Sequence, residues 1–231
     1  MDPQDLPPHV TFPSGPASPC PACGGTETRR FYRLESIPVH SCVLLKDAQS
    51  AREFPTADLE LAACQDCGFL FNPLFDEARI DYSEDYEETQ GYSGTFRAFL
   101  DATIANQLAN RDAAGALILE IGCGRGDFLE QICRAADARG IGIDPSSTAG
   151  RVDPTAGRGL RFLHEEYSEK HLALDPRMIA CRHTLEHLYR VRDLVALIRK
   201  HLDAGQGRWT FFEVPDSLRI LNEGAFWDVY Y

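Results

Sequence analysis

The chain has 231 residues, of which 44% are hydrophobic and 25% are charged, so it can bury the core of one large domain or two small ones. Its formal net charge is −12, and no cluster of Lys and Arg forms a stripe that could follow a phosphate backbone, which excludes nucleic acid as an expected partner. There is no secretory leader and no apolar run near the roughly 18 residues that a membrane span needs. We therefore expect a cytoplasmic protein that does not enter a membrane.

The N-terminal part combines a proline-rich segment with two cysteine pairs. Residues 1–19 contain many prolines and no periodicity, which predicts a flexible leader or an extended strap. Cys20 with Cys23, and Cys64 with Cys67, then form two Cys-x-x-Cys pairs, each followed by glycine. A glycine there lets the chain fold back so that backbone N–H groups point at the thiolates. The two pairs predict one closed, four-thiolate structural zinc site.

The segment 20–75 is predicted to be a small zinc-binding domain similar to a zinc ribbon. In a reducing compartment, paired cysteines are more often metal ligands than disulfides. A catalytic zinc would need His or carboxylate ligands and an open position, although His40 is an alternative ligand to one cysteine. Strand-like patterns cover 31–34, 39–45 and 59–61. Such a module is too small to fold on its core alone, so its metal should supply much of its stability.

An acidic, tyrosine-containing stretch over 76–93 follows the cysteine pairs. Acidic stretches are usually solvated surface, but interleaved tyrosines can also form a lid that hydrogen-bonds a polar substrate. Both interpretations, linker and lid, are kept. Apolar residues at helical spacing then predict an amphipathic helix over 94–112, which begins the main domain over 94–231.

The central motif is Glu120-x-Gly122-x-Gly124-x-Gly126, between an apolar run and an amphipathic segment. It predicts a strand, a loop and a helix. The glycines allow sharp turning and close approach of a ligand, while Glu120 and the N–H groups at the helix start supply an acceptor and donors. The spacing differs from the G-x-G-x-x-G motif of dinucleotide-binding folds. We therefore expect a nucleotide-like ligand that is not bound through a pyrophosphate.

Asp144 ends a second predicted strand, about 20 residues beyond the loop, where a carboxylate can accept hydrogen bonds from ribose hydroxyls. An ordinary buried β-turn-α connection is the structural alternative. Downstream, apolar runs alternate with helical patterns, which predicts an α/β domain with a parallel sheet and helices on both faces. The predicted strands are 116–121, 139–143, 160–164, 177–182 and 208–214, and the predicted helices are 126–137 and 186–202.

His183 and His187 flank the start of the last predicted helix, at the carboxyl edge where such sheets bind ligands. A His-x-x-x-His pair can bind a metal, but its geometry is not assured across a junction between a strand and a helix. We predict instead that one of the two histidines is a site residue.

Together these motifs resemble the sugar C-methyltransferase family, whose members join an N-terminal zinc-binding domain to a Rossmann-like domain of class I methyltransferases that binds S-adenosylmethionine (SAM). The resemblance also includes the segments 182–188, 212–216 and 226–231. It implies SAM as cofactor and a nucleotide-linked keto-sugar or similar small molecule as substrate, methylated at carbon. O- or N-methylation of a small molecule is an alternative, as is a non-catalytic interaction protein that binds SAM and zinc.

The resemblance also implies roles for individual residues. Cofactor contacts are expected at Glu120, Gly122, Cys123, Gly124, Gly126, Asp144 and His183. Catalytic roles are expected at His187, His183 and Tyr230, with Tyr86 as the lid tyrosine. In the family, the terminal aromatic run continues into a Glu-His pair that supplies the base. Because the sequence ends at Tyr231, we expect either a fragment or a chain without that base.

Overall fold

A computed structural model describes residues 10–11, 13–40, 43–79, 91–145 and 159–223. Tyr86 and Tyr230 lie outside these ranges, as does most of the predicted lid segment. The chain divides into two compact units. The first holds the described residues up to 79, together with Glu186–Arg192 and residues 215–223, and the second holds residues 91 to 145, 159 to 185 and Asp193–Val214.

The first unit contains a four-stranded antiparallel sheet in the order β1-β2-β3-β4. Its elements are β1 (Val10–Thr11), β2 (Thr28–Pro38), α1 (Ala48–Arg52), β3 (Thr56–Cys64), β4 (Leu70–Phe71) and, from the end of the described chain, α5 (Ser217–Glu223). Val10 pairs with Leu34, so part of the predicted leader forms an edge strand. The core between β2 and β3 is small and includes Tyr32, Leu34 and Leu59. A core of this size leaves a domain dependent on further stabilisation.

The predicted strand over 39–45 is wrong. Among the described residues of that span, only Val43 makes an isolated bridge. The apolar pattern has another cause, because Val39 is buried against Ala57 and Phe54 in a small cluster beyond the end of β2. The strand-like pattern of apolar residues therefore reflects burial of a loop.

The second unit contains a five-stranded parallel sheet in the order β7-β6-β5-β8-β9. Its strands are β5 (Leu117–Ile121), β6 (Arg139–Ile143), β7 (Leu160–Leu163), β8 (Met178–Arg182) and β9 (Trp209–Glu213). Its helices are α2 (Gly94–Leu108), α3 (Asp127–Ala136) and most of α4 (Val191–Asp203). The predicted α/β class with a parallel sheet is confirmed. The order reverses direction at β5, and in such sheets this switch point opens the crevice that binds ligands.

Both faces of the sheet are covered by apolar side chains. Ile118 of β5 lies in a core cluster with Leu100 of α2 and Leu129 of α3. Leu119, the next residue of the strand, lies in the other cluster with Ile198 of α4. Successive side chains of a strand point to opposite faces, so a strand that is covered on both faces must be apolar throughout. This explains the continuous apolar run that ends in the glycine motif.

Two predicted helix boundaries are wrong. The helix predicted over 186–202 begins at Val191, because its apolar stripe starts there, and residues 185–187 form a single 3₁₀ turn. The helix predicted over 94–112 ends at Leu108, beyond which the chain turns and Asp112 Oδ1 accepts from the Ala114 N–H at 3.0 Å. Within the described ranges, no helix is both long enough and apolar enough to cross a membrane.

Candidate functional site

The glycine loop connects β5 to α3 at the carboxyl edge of the parallel sheet. Gly122, Gly124 and Gly126 have φ angles of +67°, +50° and +84°, a region that other residues adopt only with strain. The Gly122 N–H donates to the Ile143 carbonyl at 2.8 Å, and the Gly126 N–H donates to the Cys123 carbonyl at 2.8 Å. These bonds fold the loop back over the end of β6.

Gly122 is required by packing within the protein. A Cβ built at this position would lie 1.9 Å from Oγ1 of Thr184, in the turn after β8. The Thr184 hydroxyl donates to the Arg182 carbonyl at 2.9 Å, which keeps the side chain against the loop. The missing side chain of Gly122 therefore makes room for Thr184. The sequence motif alone did not identify Thr184 as part of the site.

Asp144 lies against the loop, as its position after β6 predicted. Its side chain is buried, and Oδ2 accepts a hydrogen bond from the Gly124 N–H at 2.7 Å. The parallel pairing of β5 with β6 produces this contact, because it places Ile121 opposite Ile143 and brings both strand ends to one edge. A carboxylate held there can accept hydrogen bonds from a polyhydroxyl ligand seated on the loop.

Glu120 is 2% exposed, so its carboxylate lies beneath the loop rather than on its surface. Burial raises the pKa of Glu120 to about 8, although the positive charge of Arg182 and a hydrogen bond from the Leu129 backbone oppose the shift. Oε2 is buried without a hydrogen-bond partner among the described residues. A buried carboxylate oxygen without a partner is costly, and a cationic ligand near it would compensate for that cost.

Cys123 belongs to the loop by position, but its side chain packs inside the protein. The residue is 8% exposed, and a Cβ built at Gly142 would lie 2.6 Å from its Sγ. Cys123 therefore fills the space that Gly142 leaves on β6. Cysteine in such a position behaves as a small apolar residue.

Arg182, His183 and Glu213 form a charged cluster at the ends of β8 and β9. Arg182 Nε donates to Glu213 Oε2 at 2.9 Å, and His183 Nε2 lies 2.9 Å from Glu213 Oε1. Burial alone would raise the pKa of Glu213, but the hydrogen bonds from His183 and Arg182 lower it to about 2. The Arg182 guanidinium also lies 4.4 Å from the ring centre of Phe128 in α3. An ionised carboxylate therefore holds His183 in place.

His183 is the more exposed partner in this cluster, with 51% of its side chain accessible. Its φ angle is +46°, which is uncommon for a residue other than glycine. Its backbone N–H donates to the Glu213 carbonyl at 2.9 Å. Backbone strain of this kind is found at functional sites, where the surrounding contacts maintain it.

The sequence predicted His183 as a site residue and placed Glu213 at the same edge without giving it a role, whereas Arg182 was not singled out. Arg182 and Glu213 have one feature in common that the sequence could show: each is the last residue of a strand, at the edge where such sheets bind ligands. His187 lies in the 3₁₀ turn after β8, and it groups with the first compact unit whereas His183 groups with the second. The two histidines do not join any group of three or more potential metal ligands in the described part of the chain.

The four cysteines of the two Cys-x-x-Cys pairs come together in the first unit. Their sulfur atoms all lie within 4.8 Å of one another. The sulfurs of Cys20 and Cys67 are 3.8 Å apart, and those of Cys23 and Cys64 are 3.6 Å apart. Gly25 donates its N–H to Cys23 Sγ at 3.3 Å, whereas the N–H of Gly24, the glycine directly after the pair, donates to the Cys20 carbonyl at 2.8 Å. His40 is not part of this group, which is the only such group among the described residues.

Similar solved structures include a plantazolicin methyltransferase, BpumL, in complex with a pentazolic desmethylPZN analog and SAH, at 19% identity over 61% of this chain and 59% of the other, with a TM-score of 0.44. Two SAM-dependent methyltransferases in complex with S-adenosyl-L-homocysteine are also similar. The one from Thiobacillus denitrificans has 22% identity over 55% of this chain and 54% of the other, with a TM-score of 0.41. The one from Geobacter sulfurreducens has 20% identity over 53% of this chain and 52% of the other, with a TM-score of 0.39. The matched region spans little more than half the length of these proteins. No curated protein matches the chain.

A family comparison covers the chain from residue 94 onward. Residues 94–230 match the family described as "Methyltransferase domain". The match takes in the glycine loop, Asp144 and the cluster around Glu213, and it covers more than half of the chain. With its parallel sheet and its loop after the central strand, the chain therefore belongs to the methyltransferase-domain family and has the Rossmann-like fold of class I methyltransferases.

Proposed function

We propose that the protein is a SAM-dependent methyltransferase and that SAM binds at the glycine loop. The observation that carries this proposal is the loop of three glycines with positive φ angles, joined to the buried Asp144 carboxylate by a 2.7 Å hydrogen bond. Membership in the methyltransferase-domain family supports it. Glu120, Gly122, Gly124, Gly126 and Asp144 are the residues that we assign to cofactor binding, whereas the side chain of Cys123 has a packing role.

The chain's own residues provide position and charge. SAM, when bound, supplies an electrophilic methyl group on a sulfonium centre, so the site must accommodate a cation. Asp144 offers carboxylate oxygen to hydroxyl groups of the ligand. Glu120 carries a buried oxygen without a described partner, and nearby positive charge would favour its ionised form. Both carboxylates suit a positively charged nucleoside better than a phosphate-bearing dinucleotide.

His183 is the residue that we propose for proton removal from the acceptor. Its Nε2 faces Glu213 Oε1, and because a carboxylate only accepts, Nε2 carries the hydrogen. In the neutral imidazole, Nδ1 then has the lone pair and can act as a base. His187, Tyr86 and Tyr230 are further proposed catalytic residues from the family resemblance. Arg182 balances the charge of Glu213 and keeps it oriented.

For the acceptor, we propose a nucleotide-linked keto-sugar methylated at carbon. The resemblance to sugar C-methyltransferases supports this choice, and a carbon next to a ketone has a proton that a histidine can remove. Methylation at oxygen or nitrogen of another small molecule is the second candidate. Methylation at oxygen or nitrogen depends less on proton removal by a base, because the attacking atom already carries a lone pair.

Deuterium exchange separates these candidates. With S-adenosylhomocysteine in place of SAM, a C-methyltransferase should exchange the acidic proton of a nucleotide-linked keto-sugar with deuterated water, as measured by proton NMR. His183→Asn should abolish exchange, whereas His164→Asn, in the same unit outside the cluster, should leave it unchanged. Methyl transfer from SAM to oxygen or nitrogen without any proton exchange would contradict C-methylation and support the second candidate.

The Asp144 assignment predicts the loss of SAM affinity in Asp144→Ala. The variant should bind SAM about 10- to 100-fold more weakly, as expected when a charged hydrogen-bond acceptor is lost. Isothermal calorimetry on the full chain measures the effect. Asp101→Ala is a matched control, because Asp101 is exposed on α2. Equal affinity of wild-type and Asp144→Ala proteins would remove Asp144 from the site.

For the four cysteines, we propose a structural zinc ion. Around a tetrahedral zinc with bonds of about 2.3 Å, sulfur atoms are separated by about 3.8 Å. The distances of 3.8 Å for Cys20 with Cys67 and 3.6 Å for Cys23 with Cys64 fit that value. Four thiolates close the coordination shell, which suits a structural and not a catalytic ion. Its role is then to hold the N-terminal sheet together.

A further inference from the structure

We propose that the amino end of the parallel sheet carries a second binding site, for a pyrophosphate-type anion, formed by Arg139, Arg177 and Arg208. A cavity of about 390 Å³ opens there beside the first residues of β5, β6, β8 and β9. Cavities that bind small molecules commonly measure about 300–1,000 Å³. The glycine loop lies at the opposite, carboxyl end of the same strands, so the two sites are separate.

The lining of this cavity is strongly basic. Three arginines and one carboxylate, Asp175, contribute to it, which leaves two net positive charges in a chain whose net charge is −12. The side chain of Asp175 is 87% exposed and pairs with Arg208, so it offsets part of the charge of that guanidinium. The planar guanidinium fork matches phosphate oxygens in pairs. The cavity therefore carries local positive charge on an acidic protein, which favours an anion as its ligand.

The arginines are held in place but retain donors for a ligand. Arg177 Nη1 donates to the Gln206 carbonyl at 3.0 Å. Arg208 donates to the His201 carbonyl and to Asp175. Each guanidinium has five N–H donors, so these bonds leave most of the donors unused by the described residues. Arg139 makes no side-chain hydrogen bond within the described ranges, and it is the most adaptable of the three.

The loop between α4 and β9 leaves room for two of these side chains. A Cβ at Gly205 would lie 2.4 Å from Arg208 Nε, and a Cβ at Gly207 would lie 2.5 Å from Arg177 Nη1. Gly207 also has a φ angle of +67°. Two glycines in three residues therefore allow two guanidiniums to lie against the backbone. Arg177 and Arg208 therefore line the same cavity, where a bound dianion or trianion would meet both positive charges.

The size of the cavity favours a small anion over an acidic protein, because about 390 Å³ suits a small molecule. The lining residues come from strand starts and from the connecting loops, and they form a partly open hollow. A pyrophosphate group can accept from several guanidiniums at once in such a space. The inference does not depend on methyl transfer, because neither the glycine loop nor the Glu213 cluster contributes to the cavity.

Calorimetry with inorganic pyrophosphate, on the full chain at physiological salt and without SAM, tests the proposal. One site should be seen, and Arg139→Gln and Arg177→Gln should each weaken binding about 10-fold or more. Arg134→Gln is the matched control, because Arg134 is 57% exposed on α3 and does not line the cavity. ADP serves as a second probe: tighter binding than pyrophosphate, with the same dependence on Arg139, would identify a nucleoside diphosphate as the source of the anion.

Arg139→Gln keeps the test independent of folding, since its side chain makes no hydrogen bond that the fold would lose. Thermal melting of each variant should stay close to that of the wild-type chain. The proposal is overturned if pyrophosphate does not bind, if Arg139→Gln binds it as well as the wild type, or if Arg134→Gln weakens binding equally. Binding of poly-glutamate without binding of pyrophosphate would likewise overturn it and assign the cavity to a protein contact.

Discussion

Replacing Cys64 and Cys67 by serine is expected to remove all bound zinc and to unfold the N-terminal sheet, while the parallel sheet stays folded. The wild-type chain should carry about one equivalent of zinc. Structural zinc sites contribute on the order of 10 kcal/mol to the folding of small domains, more than the small core around Leu59 can replace. Metal analysis and limited proteolysis measure the two effects.

Cys133→Ala is the matched control for this experiment. Cys133 is a buried cysteine of the second unit, and it lies on α3 in the apolar cluster with Ile118. Its loss should cost some stability of that unit without changing the metal content. If the double serine variant kept its zinc and its resistance to protease, the metal site would be assigned to the wrong residues. A coloured, iron-containing protein would retain the cysteine site but change the identity of its metal.

Glu120→Gln is expected to make the chain more stable than the wild type at alkaline pH. The folded protein holds the Glu120 proton up to a pKa of about 8, whereas the ordinary value is 4.5. Between these values the folded state binds more protons than the unfolded state, so the free energy of unfolding falls as pH rises. The stabilisation is complete below about pH 4.5 and is lost as pH passes through about 8. Glutamine does not titrate and avoids this loss.

Urea unfolding at pH 5 and pH 9 measures the effect as a difference between the two proteins. The advantage of Glu120→Gln should grow by roughly 4 kcal/mol over this range, since each unit of pKa shift corresponds to about 1.4 kcal/mol. Glu130→Gln, a partly exposed residue on α3, should show no comparable growth. Parallel pH dependence of the Glu120→Gln and wild-type proteins would show that the carboxylate is not buried as described.

Local patterns explain why much of the second unit was predicted from sequence. The apolar run before Glu120 specifies a strand covered on both faces, and three alternating glycines specify a turn with positive φ angles. Chain order then places Asp144 beside the loop, because parallel neighbours end at the same edge. Similarly, each Cys-x-x-Cys spacing predicted half of a thiolate site, and the pairing of Thr28 with Cys64 between β2 and β3 brings the two halves together.

The sequence by itself therefore determined the class of fold, the glycine loop and the two halves of the thiolate cluster, since each depends on residues close in the chain or on a repeated local geometry. Only the tertiary structure decided which partner each side chain meets. Arg182 reaches Glu213 across 31 residues, and Thr184 occupies the space beside Gly122. The cavity between Arg139 and Arg177 likewise exists only after the strands are ordered. Such contacts depend on strand order and side-chain packing, and neither leaves a periodic signal in one sequence.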